Sequence, residues 1–357
     1  MSADAVQAAS PLEAKRGWLH SRGIDLVILV GPWFFLAITA ALELGTPKGV
    51  WISQFIFGNT THVILTFLLL ATRRDILRAT PTQAQTVLIG STITLLLSYG
   101  VFVAVNAAAP YWIDFPVAIL AIFGIHHRLS QARGIWSLYN MAGSNMGPPS
   151  AAERSLYGLW TPIGLLLVCI DWLFVPIGPG RFSSATHPIP QMEAPLPYET
   201  AYLLAGIWLL FSGFLVRALW KGGARLPKLL HVGTHIGAVC LALLSPIWGS
   251  IVWGAIHGLE YYFLCARMMQ PRTGDEQPGI SRYLVWPLII ASMAPIFLIG
   301  LARSPFAPEM TSPYVLHAVF LTNAIVIAHY FADAFIYRFR IPTVRRVALH
   351  RLGFSQP

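Results

Sequence analysis

The sequence predicts an all-α fold, a polytopic transmembrane bundle of about ten spans with both termini cytoplasmic, and three observations predict it. Of 357 residues, 55% are apolar and only 11% charged, with mean hydropathy +0.61, where a soluble domain carries about 25% charged residues. Apolar runs close to the ~20 residues needed to span a bilayer core recur along the chain, bounded by charge, Pro or Gly. The basic residues then sort to alternate connections: of 24 Lys and Arg, all but Lys48, Arg181 and Arg303 fall on the side assigned to the cytoplasm. That is the positive-inside pattern, and a helix count wrong by one would scramble it. The net charge of +9 therefore serves topology and anionic lipid, and nucleic acid is not an expected partner.

In order, the runs are 24–43, 51–72, 86–108, 113–137, 156–177, 199–220, 229–245, 247–268, 281–301 and 314–338. The first opens on Asp25, where an acid suits the helix dipole. The seventh and eighth form one apolar stretch broken only at Ser245-Pro246, where the missing proline N–H and the restricted preceding residue favour a turn. Cys169, Cys240 and Cys265 lie inside apolar runs and read as small core residues, with no disulfide framework and no Cys-based zinc motif. Residues 1–23 form a cytoplasmic segment holding Asp4, Glu13, Lys15 and Arg16, without the apolar core of a cleaved leader. The outer connection 178–198, rich in Pro179, Pro188, Pro190, Pro195 and Pro197, is expected to cap the bundle. The segment 339–357 reads as a solvated basic tail at the anionic leaflet. With no internal repeat and no polar module, the chain reads as one integral membrane domain of a bacterial inner (cytoplasmic) membrane.

Ionisable side chains inside spans are costly, so each is a candidate for function. His62 falls in the second span and His126 and His127 in the fourth, with Gln131 one turn on. His231 and His235 are four apart at the start of the seventh span. His257 and Glu260 are three apart in the eighth, and His329 and Asp333 four apart in the tenth, so each pair shares a helix face. Spans 2, 4, 8 and 10 all descend from the outer side, which puts His62, His127, His257 and His329 about 16 to 22 Å below their outer entry at 1.5 Å per residue. His231 and His235 rise to the same slab from the inner side. Neutral imidazole is the commonest metal ligand, and several histidines with one or two carboxylates suit Fe, Zn or Cu over Mg or Ca. The expected metal ligands are His62, His127, His231, His235, His257, His329 and Asp333. Glu260, Asp333 and Gln131 are the expected catalytic or orienting groups. His126 points about 100° away from His127, so one of the two faces a given centre. Glu43, Asp114 and Asp171, near outer ends, read as solvated, and His20, His187, His317 and His350 have no expected role. Tyr139, Tyr261, Tyr262 and Tyr330 lie near the histidines, although tyrosines also populate interfacial belts.

The segments THVILT around His62, HHRLSQARG around His127, HGLEYYFL around His257 and HYFADAFIY around His329 resemble a family of polytopic bacterial membrane proteins with one histidine motif per inner helix. In chemistry the chain resembles the histidine-cluster, non-haem iron membrane enzymes: the Brp/Blh carotene dioxygenases and the membrane desaturases and hydroxylases. Desaturases follow HxxxH with two HxxHH boxes. This chain has HxxxH at His231 and His235 and an isolated HH at His126 and His127, so its layout is nearer the carotene dioxygenase arrangement. The resemblance implies an oxidoreductase or oxygenase using a mononuclear or dinuclear iron site on an apolar substrate from the lipid bilayer. No nucleotide, flavin or ferredoxin motif is present, so a separate electron-donor protein is the expected partner. The alternatives are a haem-carrying electron-transfer subunit, with paired histidines as axial ligands, and a transporter for a metal ion or proton-coupled solute.

Overall fold

A computed structural model describes residues 17–41, 52, 55, 60–110, 114–142, 149–175, 196–271, 280–281, 283–302, 313–338 and 341–354, and among them the chain is all-helical, with no strand. The helices are α1 (Arg22–Ala41), α2 (Val63–Thr72), α3 (Arg74–Leu77), α4 (Gln83–Ala108), α5 (Asp114–Ala142), α6 (Ala151–Phe174), α7 (Thr200–Lys221), α8 (Leu226–Leu244), α9 (Pro246–Met269), α10 (Val285–Ala302), α11 (Pro313–Ile336) and α12 (Pro342–Arg351). Among the described residues six helices are long and apolar enough to cross a bilayer: α1, α4, α6, α7, α8 and, within α11, Tyr314–Ile336. The protein is therefore a membrane protein. Contacts divide it into two compact units, Met1–Val50 with Val117–His257, and Trp51–Pro116 with Gly258–Pro357.

In the first unit, α8 packs on α1, α6 and α7, and α6 also packs on α7. Local signals set the ends of these helices. Ser150 caps α6, its hydroxyl accepting the Glu153 N–H at 3.1 Å, the first half of a capping box. The Glu153 carboxylate does not close that box. It turns instead to Lys228 at 2.5 Å, a pair that is almost wholly buried. Helix α7 closes in a Schellman turn: Ala224 N–H bonds Leu219 O and Gly223 N–H bonds Trp220 O, both at 3.0 Å. Gly223 takes φ +72° there, a left-handed conformation that glycine adopts without a Cβ clash. The break expected at Ser245-Pro246 is present, with Ser245 ending α8 and Pro246 opening α9.

Burial follows helical periodicity even where both faces are apolar. On α7, Leu204, Trp208, Phe211, Leu215 and Leu219 are buried, while Leu203, Ile207, Leu210 and Phe214 are exposed. The outward face is apolar because lipid, not water, is its solvent. The buried face stacks Trp208 on Trp160 with ring centroids 4.9 Å apart, and the Trp208 indole donates to Ile236 O at 3.0 Å.

In the second unit, α11 packs on α4, α2 and α10, and the short helices α3 and α12 pack on each other. Several expectations change here. The tail beyond 338 is not merely solvated: α12 buries Val344, Ala348, Leu349 and Arg351, and Arg351 Nε donates to Asp75 Oδ2 at 2.6 Å. Its neighbours Arg345 and Arg346 remain exposed. His62, expected within a helical span, stands at the N-cap of α2 after a turn at 60–62. In the first unit, Asp171, read as solvated, is fully buried on α6. Lys228, counted among the loop cations, is buried by its pairing with Glu153. His20 is also buried. Residues 1–16 of the N-terminal segment, 178–195 of the Pro-rich connection, Glu43 and His187 lie outside the described residues, as does the Asp114 side chain.

Beside the Ser245 break, a Cβ on Gly249 would stand 2.2 Å from Ala242 Cα. The close approach of α8 and α9 is of the kind that small residues permit. Gly249→Ala is expected to cost about 1 to 3 kcal/mol by overpacking. Gly206→Ala, where a Cβ meets nothing within 4 Å, should be tolerated. Thermal unfolding of the two variants in the same detergent checks this contrast.

Candidate metal centre

In the second unit, α2, α9 and α11 bring one carboxylate, two imidazoles and two hydroxyls together. Asp333 Oδ1 accepts hydrogen bonds from the Thr66 hydroxyl and from the Tyr261 hydroxyl, each at 2.8 Å. The two hydroxyls also touch each other, and Thr66 Oγ1 lies 2.5 Å from His329 Nδ1. The proton count constrains the histidine tautomer. Each hydroxyl has a single proton; when both are directed to an ionised Asp333, the contact with His329 is its Nδ1–H donating to Thr66 Oγ1. In the neutral ring Nε2 of His329 then carries the lone pair. That atom stands 3.6 Å from the second oxygen of Asp333, Oδ2.

The His62 ring packs against this arrangement, with centroids 5.0 Å from His329 at 80° and 4.9 Å from Tyr261. Its flank is held by a parallel contact, Thr61 Oγ1 to Tyr262 Oη at 2.7 Å. Adjacent tyrosines on α9 thus bind the threonines on either side of His62 in sequence. Thr66, His62, Tyr261, His329 and Asp333 are all at least nine-tenths buried. An imidazole nitrogen and a carboxylate oxygen placed side by side in an apolar interior share a cation, which is either a proton on the ring or a metal ion. Two histidines with one carboxylate are also the donor set of non-haem iron sites.

The first unit carries two further histidine pairs. His127 on α5 meets His257 on α9 edge to face, centroids 5.1 Å apart, and Gln131 Nε2 donates to His257 O at 3.1 Å. Gln131, expected among the catalytic or orienting groups, ties its amide nitrogen to a helix carbonyl. His126 is exposed and His127 half-buried, so His127 is the member of that doublet turned inward. His231 and His235 on α8 are buried, with centroids 4.7 Å apart. Glu260, in the second unit, is buried on α9 beside Tyr261. His317, expected outside any site, is exposed, with Nδ1 3.0 Å from the Tyr99 hydroxyl.

Residue-type reasoning missed Thr66 and gave Tyr261 no definite role. Both were inside the motifs already singled out: Thr66 follows His62 by four, one helical turn, and Tyr261 follows Glu260. No known family model, characterised protein or solved structure matches the chain.

Thr66→Val keeps the side-chain volume and removes both the donor to Asp333 and the acceptor for His329. It is expected to destabilise the protein by about 1 to 3 kcal/mol, the range for leaving buried polar groups unsatisfied. Thr66→Ser should restore most of the loss, and denaturant or thermal titration of the pair measures it.

Proposed function

We propose that the protein is a metal-dependent membrane oxidoreductase, with His62, His329 and Asp333 holding a redox-active first-row transition metal, iron being the best match. The observation that carries this reading is His329 Nε2 beside Asp333 Oδ2 at 3.6 Å, with the His62 ring against them. Imidazole and carboxylate donors together suit iron, with zinc or copper as the other metals such ligands accept. The proposal places this protein in a bacterial inner membrane with about ten spans and both termini cytoplasmic, the topology favoured by the distribution of its basic residues.

Bound iron supplies one-electron chemistry and open positions for dioxygen. The chain's own groups do the rest. Thr66 and Tyr261 hold Asp333 by one oxygen and so direct the other, the role outer partners play for metal-binding carboxylates. The buried Leu65, Leu69, Ala328 and Ala332 exclude water from the neighbourhood. An apolar substrate drawn from the bilayer suits such surroundings, and a separate protein supplies electrons. Within the first unit His127, His231, His235 and His257 remain candidate ligands for an ion of that unit, with Gln131 a candidate orienting group there, and Glu260 is a candidate orienting group in the second unit. Within either unit the paired imidazoles touch, with centroids 4.7 to 5.1 Å apart, leaving no layer for a porphyrin between them. This favours non-haem metal over the haem alternative.

Metal analysis and the visible spectrum of detergent-purified protein supplied with ferrous iron test the proposal. Stoichiometric iron without a Soret band is expected, with a large loss in His329→Ala, Asp333→Asn. Thr66→Val should weaken metal binding about 10- to 100-fold, as loss of an outer partner does. Wild-type protein that takes up no iron, zinc or copper, or a double variant with unchanged metal content, would overturn it.

A further inference from the structure

We infer that the first unit holds a transition-metal ion of its own on the α8 pair His231 and His235. The reading above rests on the second unit, so this inference stands or falls separately. The two residues are one helical turn apart and present their rings on one face, with centroids 4.7 Å apart and each residue about 1% exposed.

The tautomer of His231 follows from its partner. Its Nε2 lies 2.9 Å from Ala132 O. A carbonyl oxygen can only accept, so Nε2 carries a proton, and in the neutral ring that metal binding requires Nδ1 is the electron-pair donor. Metal-binding histidines characteristically donate their other ring N–H to a backbone carbonyl or carboxylate, which sets both tautomer and ring orientation.

The surroundings hold the pair rigidly. The Tyr139 ring lies 5.1 Å from His231, and its hydroxyl donates to Asp25 Oδ2 at 3.3 Å. Asp25 in turn accepts the Leu19 and His20 N–H groups at 2.7 and 3.0 Å. On α8 itself, the residues flanking His235 are pinned to other helices. Trp33 Nε1 donates to Thr234 Oγ1 at 2.6 Å, Thr234 Oγ1 donates to Leu29 O at 2.8 Å, and Trp208 donates to Ile236 O. Sites built on rigid elements with such supporting bonds keep their ligands within the narrow geometry a metal needs. Two imidazoles select a borderline divalent ion, Zn, Cu, Ni, Co or Fe, over Mg or Ca.

The test is a cobalt(II) titration of the full chain in detergent after chelator treatment, followed by ligand-field absorption and by elemental analysis. Two equivalents are expected for the wild type. One fewer is expected for His231→Gln, His235→Gln, and the other is lost in His329→Ala, Asp333→Asn. If the α8 variant binds as much cobalt as the wild type, the inference is wrong. A wild type that binds one equivalent, abolished only by His329→Ala, Asp333→Asn, also overturns it and leaves the proposed oxidoreductase intact. A wild type that binds none overturns both. Should the double variant fail to give monodisperse protein, the single variant His235→Gln decides. An unchanged cobalt-induced rise in its melting temperature refutes the α8 ion, and a smaller rise supports it.

Discussion

The second unit depends on one oxygen atom, Asp333 Oδ1, which gathers a hydroxyl from α2 and another from α9 onto α11. A carboxylate inside an apolar bundle is costly unless its lone pairs are met, and hydrogen bonds to an ionised group are worth about 1.5 to 3 kcal/mol each. These bonds therefore link three helices more directionally than apolar packing does between helices that lipid solvates equally well. The same Thr66 hydroxyl meets His329 Nδ1, which turns the other ring nitrogen toward Asp333 Oδ2. Helix pairing and metal-binding potential in this unit share one origin.

The first unit meets the same constraint with other chemistry. Asp25 holds the turn before α1 by two backbone N–H groups and receives the Tyr139 hydroxyl, and the Tyr139 ring backs His231. Lys228 and Glu153 neutralise each other at 2.5 Å, with the Lys228 ammonium 5.9 Å from the Trp136 ring. Breaking a buried pair of this kind leaves an uncompensated charge, which costs far more than the pair contributes. In both units, each buried acid with a described partner joins elements far apart in sequence. Asp25 and Tyr139, Glu153 and Lys228, and Thr66 and Asp333 are separated by 114, 75 and 267 residues.

Much of the helical layout was legible in the sequence because it depends on local composition. The Ser245-Pro246 break follows from a backbone property of two residues, whereas the apolar run 156–177 opens five residues after α6 does, because the Ser150 side-chain cap and not hydropathy sets that end. Local pattern could not distinguish a buried from an exposed apolar face on α4, where both are hydrophobic. Nor could it show that Asp171 is buried near a helix end, or that α12 packs Val344, Ala348 and Leu349 when its arginines dominate the composition. The motif around His62 contained Thr61 and Thr66, and the one around His257 contained Tyr261 and Tyr262, yet nothing local says that these threonines and tyrosines bond each other.

By itself, the sequence determined that this is a helical membrane protein rich in intramembrane histidines, because hydropathy, charge placement and proline breaks act along the chain. Only the tertiary structure decided which of those histidines meet within a unit, which ring nitrogen of His329 faces Thr66 and which of His231 faces Ala132 O, and that Thr66 and Tyr261 belong with Asp333. Those outcomes turn on contacts between side chains up to 267 residues apart, and a side chain's hydrogen-bond partner is set only in the folded protein.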